Sequence, residues 1–189
     1  MIKKTIKIAE PVLESDYQGA LNLVEENLFK NNLSLEILQS RSVGEILIAK
    51  DGDRIVGMIE TRRPGRIFDS IDEKYVSINK IKAGKEEIGF ISLVVVSTDC
   101  RGNGIGKLLV KKALEQQKAW GGKCVGTFAW QSSPEGGSQK LFESCGFVSL
   151  TLHKEPWRDY SEKVGPEGYS CVVCGNPCKC DYLEMVKYL

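Results

Sequence analysis

The stretch from Ile88 to Trp120 constrains the fold most, because its apolar period changes part-way along. Ile88-Gly-Phe-Ile-Ser-Leu-Val-Val-Val96 is almost continuously apolar and ends in three valines. Such a run, rich in β-branched residues, predicts a strand buried on both faces. Ser97-Thr98-Asp99-Cys100 breaks it, and Arg101-Gly102-Asn103-Gly104-Ile105-Gly106-Lys107 follows. Ile105, Leu108, Leu109, Ala113 and Gln116 then recur at helical spacing, with Lys111, Lys112, Glu115 and Lys118 largely off that stripe. Gly121-Gly122 is a helix stop. Between strand and helix, alternate glycines let successive backbone N–H groups turn toward one point. The helix N-terminus adds a partial positive charge, and Arg101 and Lys107 add full ones, so the turn reads as an anion cradle suited to phosphate.

Two phosphate-binding patterns are excluded by single positions. A Walker A loop needs glycine five residues before Gly106-Lys107, where Arg101 stands, and the dinucleotide fingerprint needs its third glycine at Lys107. The pattern present, Arg-Gly-x-Gly-x-Gly after an apolar strand, resembles the R/Q-x-x-G-x-G/A loop of the GNAT superfamily of N-acetyltransferases. A second segment, Leu141-Phe-Glu-Ser-Cys-Gly-Phe147, resembles that family's L-Y-E-x-x-G-F signature. The resemblance implies a single α/β (α+β) domain over residues 1–189. Its central mixed, mostly antiparallel sheet would have about seven strands flanked by helices, with a parallel, splayed pair of central strands.

The remaining segments fit that order. Ile2, Ile6 and Ile8 predict a first strand. Ser15-Asp-Tyr-Gln18 has a capping-box pattern, with Tyr17, Leu21, Val24 and Leu28 on one helical face. Leu33 to Leu38 is a short helix candidate. Gly44 to Arg62 reads as a hairpin turned at Asp51-Gly52, and it too resembles the family's second and third strands. Residues 63–87 are irregular, with Tyr75-Val-Ser-Ile78 a candidate strand. Cys124 to Trp130 predicts a strand parallel to the central one by right-handed crossover. Ser132-Ser-Pro-Glu-Gly-Gly137 is a loop into a helix from Ser138 to Cys145, stopped at Gly146. Phe147 to His153 and Tyr182 to Leu189 are the last strands, separated by an insert, residues 154–180.

Composition narrows the setting. A formal net charge of +1 gives no electrostatic case for nucleic acid or acidic lipid. No apolar run is long enough to span a membrane, and the first residues lack a signal core, so the expectation is cytoplasmic. Seven cysteines, an odd count, argue against a disulfide framework in that compartment. Four of them, Cys171, Cys174, Cys178 and Cys180, lie within the insert as Cys-x-x-Cys-Gly followed by Cys-x-Cys, which resembles a zinc knuckle. Zinc in a closed tetrahedral S₄ site is the leading reading, then an iron–sulfur cluster, then disulfides.

The family resemblance implies acetyl-CoA as cosubstrate. Its pyrophosphate would lie on Arg101, Gly102, Asn103, Gly104, Ile105, Gly106 and Lys107, and its thioester would lie along the backbone of Val94, Val95 and Val96. The family's proton-donating tyrosine position is Phe142 here, which can only pack against the cofactor. Tyr160 and Tyr169 are substitutes to consider for the acid. Glu87 is the candidate base, with surface placement beside Glu86 as its plainer reading; His153 at a strand end and Cys145 without an adjacent base read as structural. The implied function is acetyl transfer to an amine, on a small molecule or a protein, by direct attack in a ternary complex; a homodimer is admissible. The alternative is a non-catalytic module that senses acyl-CoA or uses the metal to dock a protein or nucleic acid.

Overall fold

The structure, a computed structural model, describes residues 6–133 and 136–189. In chain order the elements are β1 (Lys7–Ala9), α1 (Glu14–Asn27), β2 (Phe29–Lys30), α2 (Leu35–Gln39), β3 (Ile46–Asp51) and β4 (Arg54–Arg62). After an irregular segment come β5 (Ile88–Val96), α3 (Ile105–Ala119), β6 (Cys124–Trp130), α4 (Gly137–Ser144) and β7 (Val148–His153). The insert contributes α5 (Arg158–Val164) and β8 (Ser170–Cys171), and β9 (Tyr182–Tyr188) closes the sheet.

Period-two burial in β3 builds the two layers that cover the sheet. Ile46 and Ile48 pack with Ala20, Leu23, Val24 and Leu38 of α1 and α2. Leu47 and Ala49 pack with Leu109, Val110 and Ala113 of α3, on the other face. Each of these buried Leu, Ile and Val side chains is worth roughly 1.5–3 kcal/mol of transfer free energy, so the helices are held chiefly by that apolar stripe. Among the described residues the sheet has seven strands in the order β1-β3-β4-β5-β6-β9-β7. All pairings are antiparallel except β5–β6, the expected parallel pair.

That parallel pair is short. Its register runs from Ile88 opposite Cys124 to Ile91 opposite Thr127 and stops there. On the other side of β5 the ladder skips Ser92: Leu93 pairs with Glu60, and Ile91 with Thr61. A bulge adds twist and bends its strand. From Ser92 onward β5 diverges from β6 and its edge on that side has no strand neighbour.

Several sequence expectations need correction. Helix α1 starts one residue before Ser15, and its cap is Asp16, whose Oδ2 accepts from the N–H groups of Val12 (3.1 Å) and Leu13 (3.2 Å). Tyr75 to Ile78 is not a strand. Val76 and Ile78 bury beneath the sheet's lower end, and the backbone closes tight 3₁₀-type turns that leave it no sheet edge to join. The insert, for which no element was expected, contains α5 and β8, and β8 pairs with β2. Residues 1–5 of the first strand candidate, and Pro134 and Glu135 of the loop before α4, lie outside the described residues. Among the described residues no helix is long and apolar enough to cross a membrane.

Candidate active site

The fork between β5 and β6 opens into a cleft of about 780 Å³ that runs from the glycine loop to the insert. At one end, Gly102 (φ +77°) and Gly104 (φ +78°) hold left-handed conformations that a Cβ disfavours. This curl leaves the backbone N–H groups from Gly102 through Lys107 without a protein acceptor among the described residues; the first helical bond runs from Leu108 N–H to Gly104 O. Those donors and the N-terminus of α3 face the same cleft end as the exposed Lys107. Arg101 is more than a spare charge. Its Nε donates to Val96 O (3.1 Å) and its Nη2 to Asn27 Oδ1 (2.9 Å), tying the loop to β5 and to the last turn of α1. Asn103 braces the loop through Nδ2 to the carbonyls of Cys100 and Arg101, both at 3.1 Å.

In the middle of the cleft, Val94 and Val96 turn their side chains to the α3 core and Val95 to the α1 core, which leaves the unpaired backbone edge of β5 to face the cleft. The Ser92 hydroxyl at the bulge is buried and unpartnered, a polar atom in want of a ligand. Phe142 is buried, stacks edge-on against Phe147 at 5.1 Å, and lines the cleft. An open-edged strand leading to an array of free N–H donors suits an extended arm ending in an anionic phosphate group. The sequence profile of the acetyltransferase (GNAT) family matches residues 12–147, most of the chain.

The chain belongs to the GNAT family of acetyltransferases.

Solved structures agree in fold. Ard1 from Thermoplasma volcanium is 13% identical with a TM-score of 0.66, covering 97% of this chain and 97% of that one. Ribosomal-protein-alanine N-acetyltransferase from Brucella melitensis is 20% identical with a TM-score of 0.63, covering 98% and 99%. A NatC complex bound to Gag peptide and CoA is 14% identical with a TM-score of 0.66, covering 97% and 98%. A search of curated protein sequences gives no match.

The far end of this GNAT cleft was not foreseen from sequence. Glu60 on β4 is buried and accepts from Arg41 Nε at 2.5 Å, with Arg62 Nη2 at 3.3 Å from the same oxygen. Asp72, from the irregular segment, lines the same region, and burial raises its carboxyl to about 6, with Glu60 pushing further up and Arg62 and Lys74 opposing. Only burial marks Asp72, and no local sequence pattern encodes that. Glu87 does not line the cleft. It precedes the other end of β5, bound to Lys123 and to the Gly84 N–H, and the Lys123 contact holds its carboxyl below the ordinary range. Tyr160 and Tyr169 do line the cleft. Tyr160 donates to Asn32 Oδ1 (2.7 Å), while burial raises the Tyr169 phenol far above its ordinary value, making it a poor acid. His153 sits against the buried Glu184 (3.2 Å), and Cys145 packs on the main core with its sulfur 3.9 Å from Ser144 Oγ; neither lines the cleft.

The four insert cysteines come together. Their sulfurs all lie within 4.8 Å of one another, with Cys171–Cys180 at 3.7 Å, Cys174–Cys178 at 3.8 Å and Cys174–Cys180 at 3.5 Å. These distances are far longer than the S–S bond of about 2.05 Å. They match the edge, about 3.8 Å, of a tetrahedron whose centre is 2.3 Å from each sulfur. The turn is built for it. Cys171 and Gly175 exchange backbone hydrogen bonds, Lys179 N–H points at Cys174 Sγ (3.2 Å), and Ser161 Oγ accepts from Cys178 N–H (2.8 Å). Tyr169 of the insert packs on this cluster together with Trp130 and Tyr182 and lines the cleft, so the insert forms part of the cleft wall.

Proposed function

We propose that this GNAT protein is an acetyl-CoA-dependent N-acetyltransferase in which an acceptor amine attacks the thioester directly within a ternary complex. The carrying observation is the continuous cleft that joins the free N–H groups of residues 102–107 to the open edge of β5. CoA pyrophosphate lies on Arg101, Gly102, Asn103, Gly104, Ile105, Gly106 and Lys107, and the thioester lies along Val94, Val95 and Val96 with Phe142 packing beside it. No acyl-enzyme is formed, because among the described residues Cys145 has no base beside its thiol. The acceptor is an amine of a small molecule or of a protein; the neighbour named for ribosomal-protein alanine makes an α-amino group one acceptor to test.

We read residues 1–189 as one domain with 154–180 as a metal-binding insert, cytoplasmic and admitting a homodimer. Zinc is the metal that thiolate ligands at tetrahedral spacing suit best. With Cys171, Cys174, Cys178 and Cys180 filling its four positions it is structural. The test mixes the protein with acetyl-CoA and spermidine, benzylamine, L-lysine and an alanine-initiated hexapeptide, and reads free CoA thiol and product mass. Amine-dependent thiol release with an acetylated product supports the reading. CoA binding without release for any amine would favour the non-catalytic sensing or docking module, for which Phe142 at the family's tyrosine position is the one observation.

A further inference from the structure

Among the described residues, the only carboxylates lining the cleft are Glu60 and Asp72. Their circumstances differ. Glu60 is committed to two guanidiniums, Arg41 at 2.5 Å and Arg62 at 3.3 Å, and is almost wholly buried. Its Oε1 is thereby taken up by fixed donors and does not face an incoming ammonium alone. The Asp72 carboxylate makes no hydrogen bond or ion pair among the described residues, although Arg62 and Lys74 are near enough to act on it through space. Register locates Glu60 and Arg62, and Asp72 lines the same cleft near enough to both to act on them through space. Glu60 and Arg62 flank the point on β4 where the ladder to β5 skips Ser92, which is where β5 and β6 part.

We infer that Asp72 is the general base that takes the proton from the acceptor ammonium at the fork, and that the Arg41–Glu60–Arg62 set is the fixed electrostatic frame around it. The inference rests on the acetyl-transfer reading above. The step balances. Asp72 accepts one proton from R–NH₃⁺, and the freed nitrogen lone pair forms the C–N bond at the thioester carbonyl. The C–S bond breaks with its electron pair on sulfur, and the second nitrogen proton passes to that thiolate. Amide, CoA thiol and protonated Asp72 remain, and water removes the last proton.

Two features fit this role. Burial, the largest influence, and Glu60 keep the Asp72 carboxyl basic, Arg62 and Lys74 limit the effect, and the resulting value of about 6 lets it accept a proton near neutral pH. The segment is also pinned on both sides of Asp72. Ser70 Oγ accepts from the Asp72 N–H (3.2 Å), and Ser77 is bonded to Glu184 of β9.

The test measures kcat from pH 5 to 9 at saturating acetyl-CoA, with the amine panel used above, for the parent, Asp72→Asn and Asp72→Glu, alongside CoA binding by calorimetry. Asp72→Asn should lower kcat by about 100-fold or more at pH 7.5 and remove the acid-side fall near pH 6, with CoA binding unchanged. Asp72→Glu should regain part of the rate. Asp72→Asn within about threefold of the parent, at any pH, overturns the assignment while leaving acetyl transfer intact. If Asp72→Asn fails to bind CoA, the parent's own profile decides, and a kcat with no ionisation near pH 6 overturns it. A parent that acetylates none of the amines removes the acetyl-transfer reading and this inference together.

Discussion

Glu184 on β9 holds Ser77 of the irregular segment by both carboxylate oxygens, Oε1 accepting from the Ser77 N–H at 2.7 Å and Oε2 from its hydroxyl at 2.5 Å. Glu184 is only 1% exposed, so these bonds form in a low-dielectric place where each counts for more and a lost partner is costly. Glu184→Gln should cost about 2 kcal/mol, read as a lower urea midpoint with unchanged slope. The same change should raise the acceptor KM and spare CoA affinity, because the segment it pins carries Asp72 and not the glycine loop. An unaltered midpoint would mean that the clamp does not hold this segment.

The raised carboxyl of Asp72 also makes a prediction about stability. Its folded value is about 6 against an ordinary 3.8, so between those pH values the folded chain binds more protons than the unfolded one. Stability from this group is therefore full below about pH 4 and lost as pH rises through 6. At pH 7.5 Asp72→Asn should be more stable than the parent by about 1–3 kcal/mol, with the difference vanishing near pH 4. Thermal unfolding at the two pH values checks the sign, and a variant less stable at pH 7.5 would contradict it.

At the glycine loop, Gly104→Val places a branched residue at φ +78°, although a Cβ there meets no other atom within 4 Å. The cost therefore falls on the loop's curl rather than on the core, about 1–2 kcal/mol, and CoA affinity should drop about tenfold. Arg101→Ala removes the ties to Val96 and Asn27 and should weaken CoA more modestly, by about threefold. Calorimetry with CoA ranks the two. Parent-like binding by Gly104→Val would move the phosphate cradle elsewhere.

Metal should be found at about one zinc per chain by elemental analysis of freshly purified protein. Cys174→Ser or a strong chelator should raise the acceptor KM far more than it weakens CoA binding, because Trp130, Tyr169 and Tyr182 link the cysteines to the cleft. Protein free of metal would remove the zinc assignment. Equal losses for both substrates would keep the metal and remove its link to the acceptor.

The strand–turn–helix at 88–120, the hairpin at 44–62 and the cysteine cluster were legible because each carries a local signal: a period, a turn dipeptide or a ligand spacing. Tyr75 to Ile78 misled because Val76 and Ile78 are apolar at alternate positions, which a strand and a 3₁₀ turn laid on apolar surface share. Asp16 rather than Ser15 caps α1 because the helix begins at Glu14 and puts Asp16 at its third position, and Lys50, distant in sequence, also ion-pairs with it at 2.6 Å. Asp72, Glu60, Arg41 and Ser92 were invisible for a related reason. What marks them is who faces whom across the sheet, and no single stretch of chain contains that. Glu87 looked plausible from its nearness to the central strand, but it stands at the end of β5 away from the fork.

The position of β9 has a consequence in time. Among the described residues β7 meets the rest of the sheet only through β9, which follows it in the chain. During folding, β7 therefore docks on the sheet only once residues 182–188 have done so. The four cysteines lie on the stretch that joins β7 to β9, so anything that orders that stretch shortens the search by which the two strands find each other.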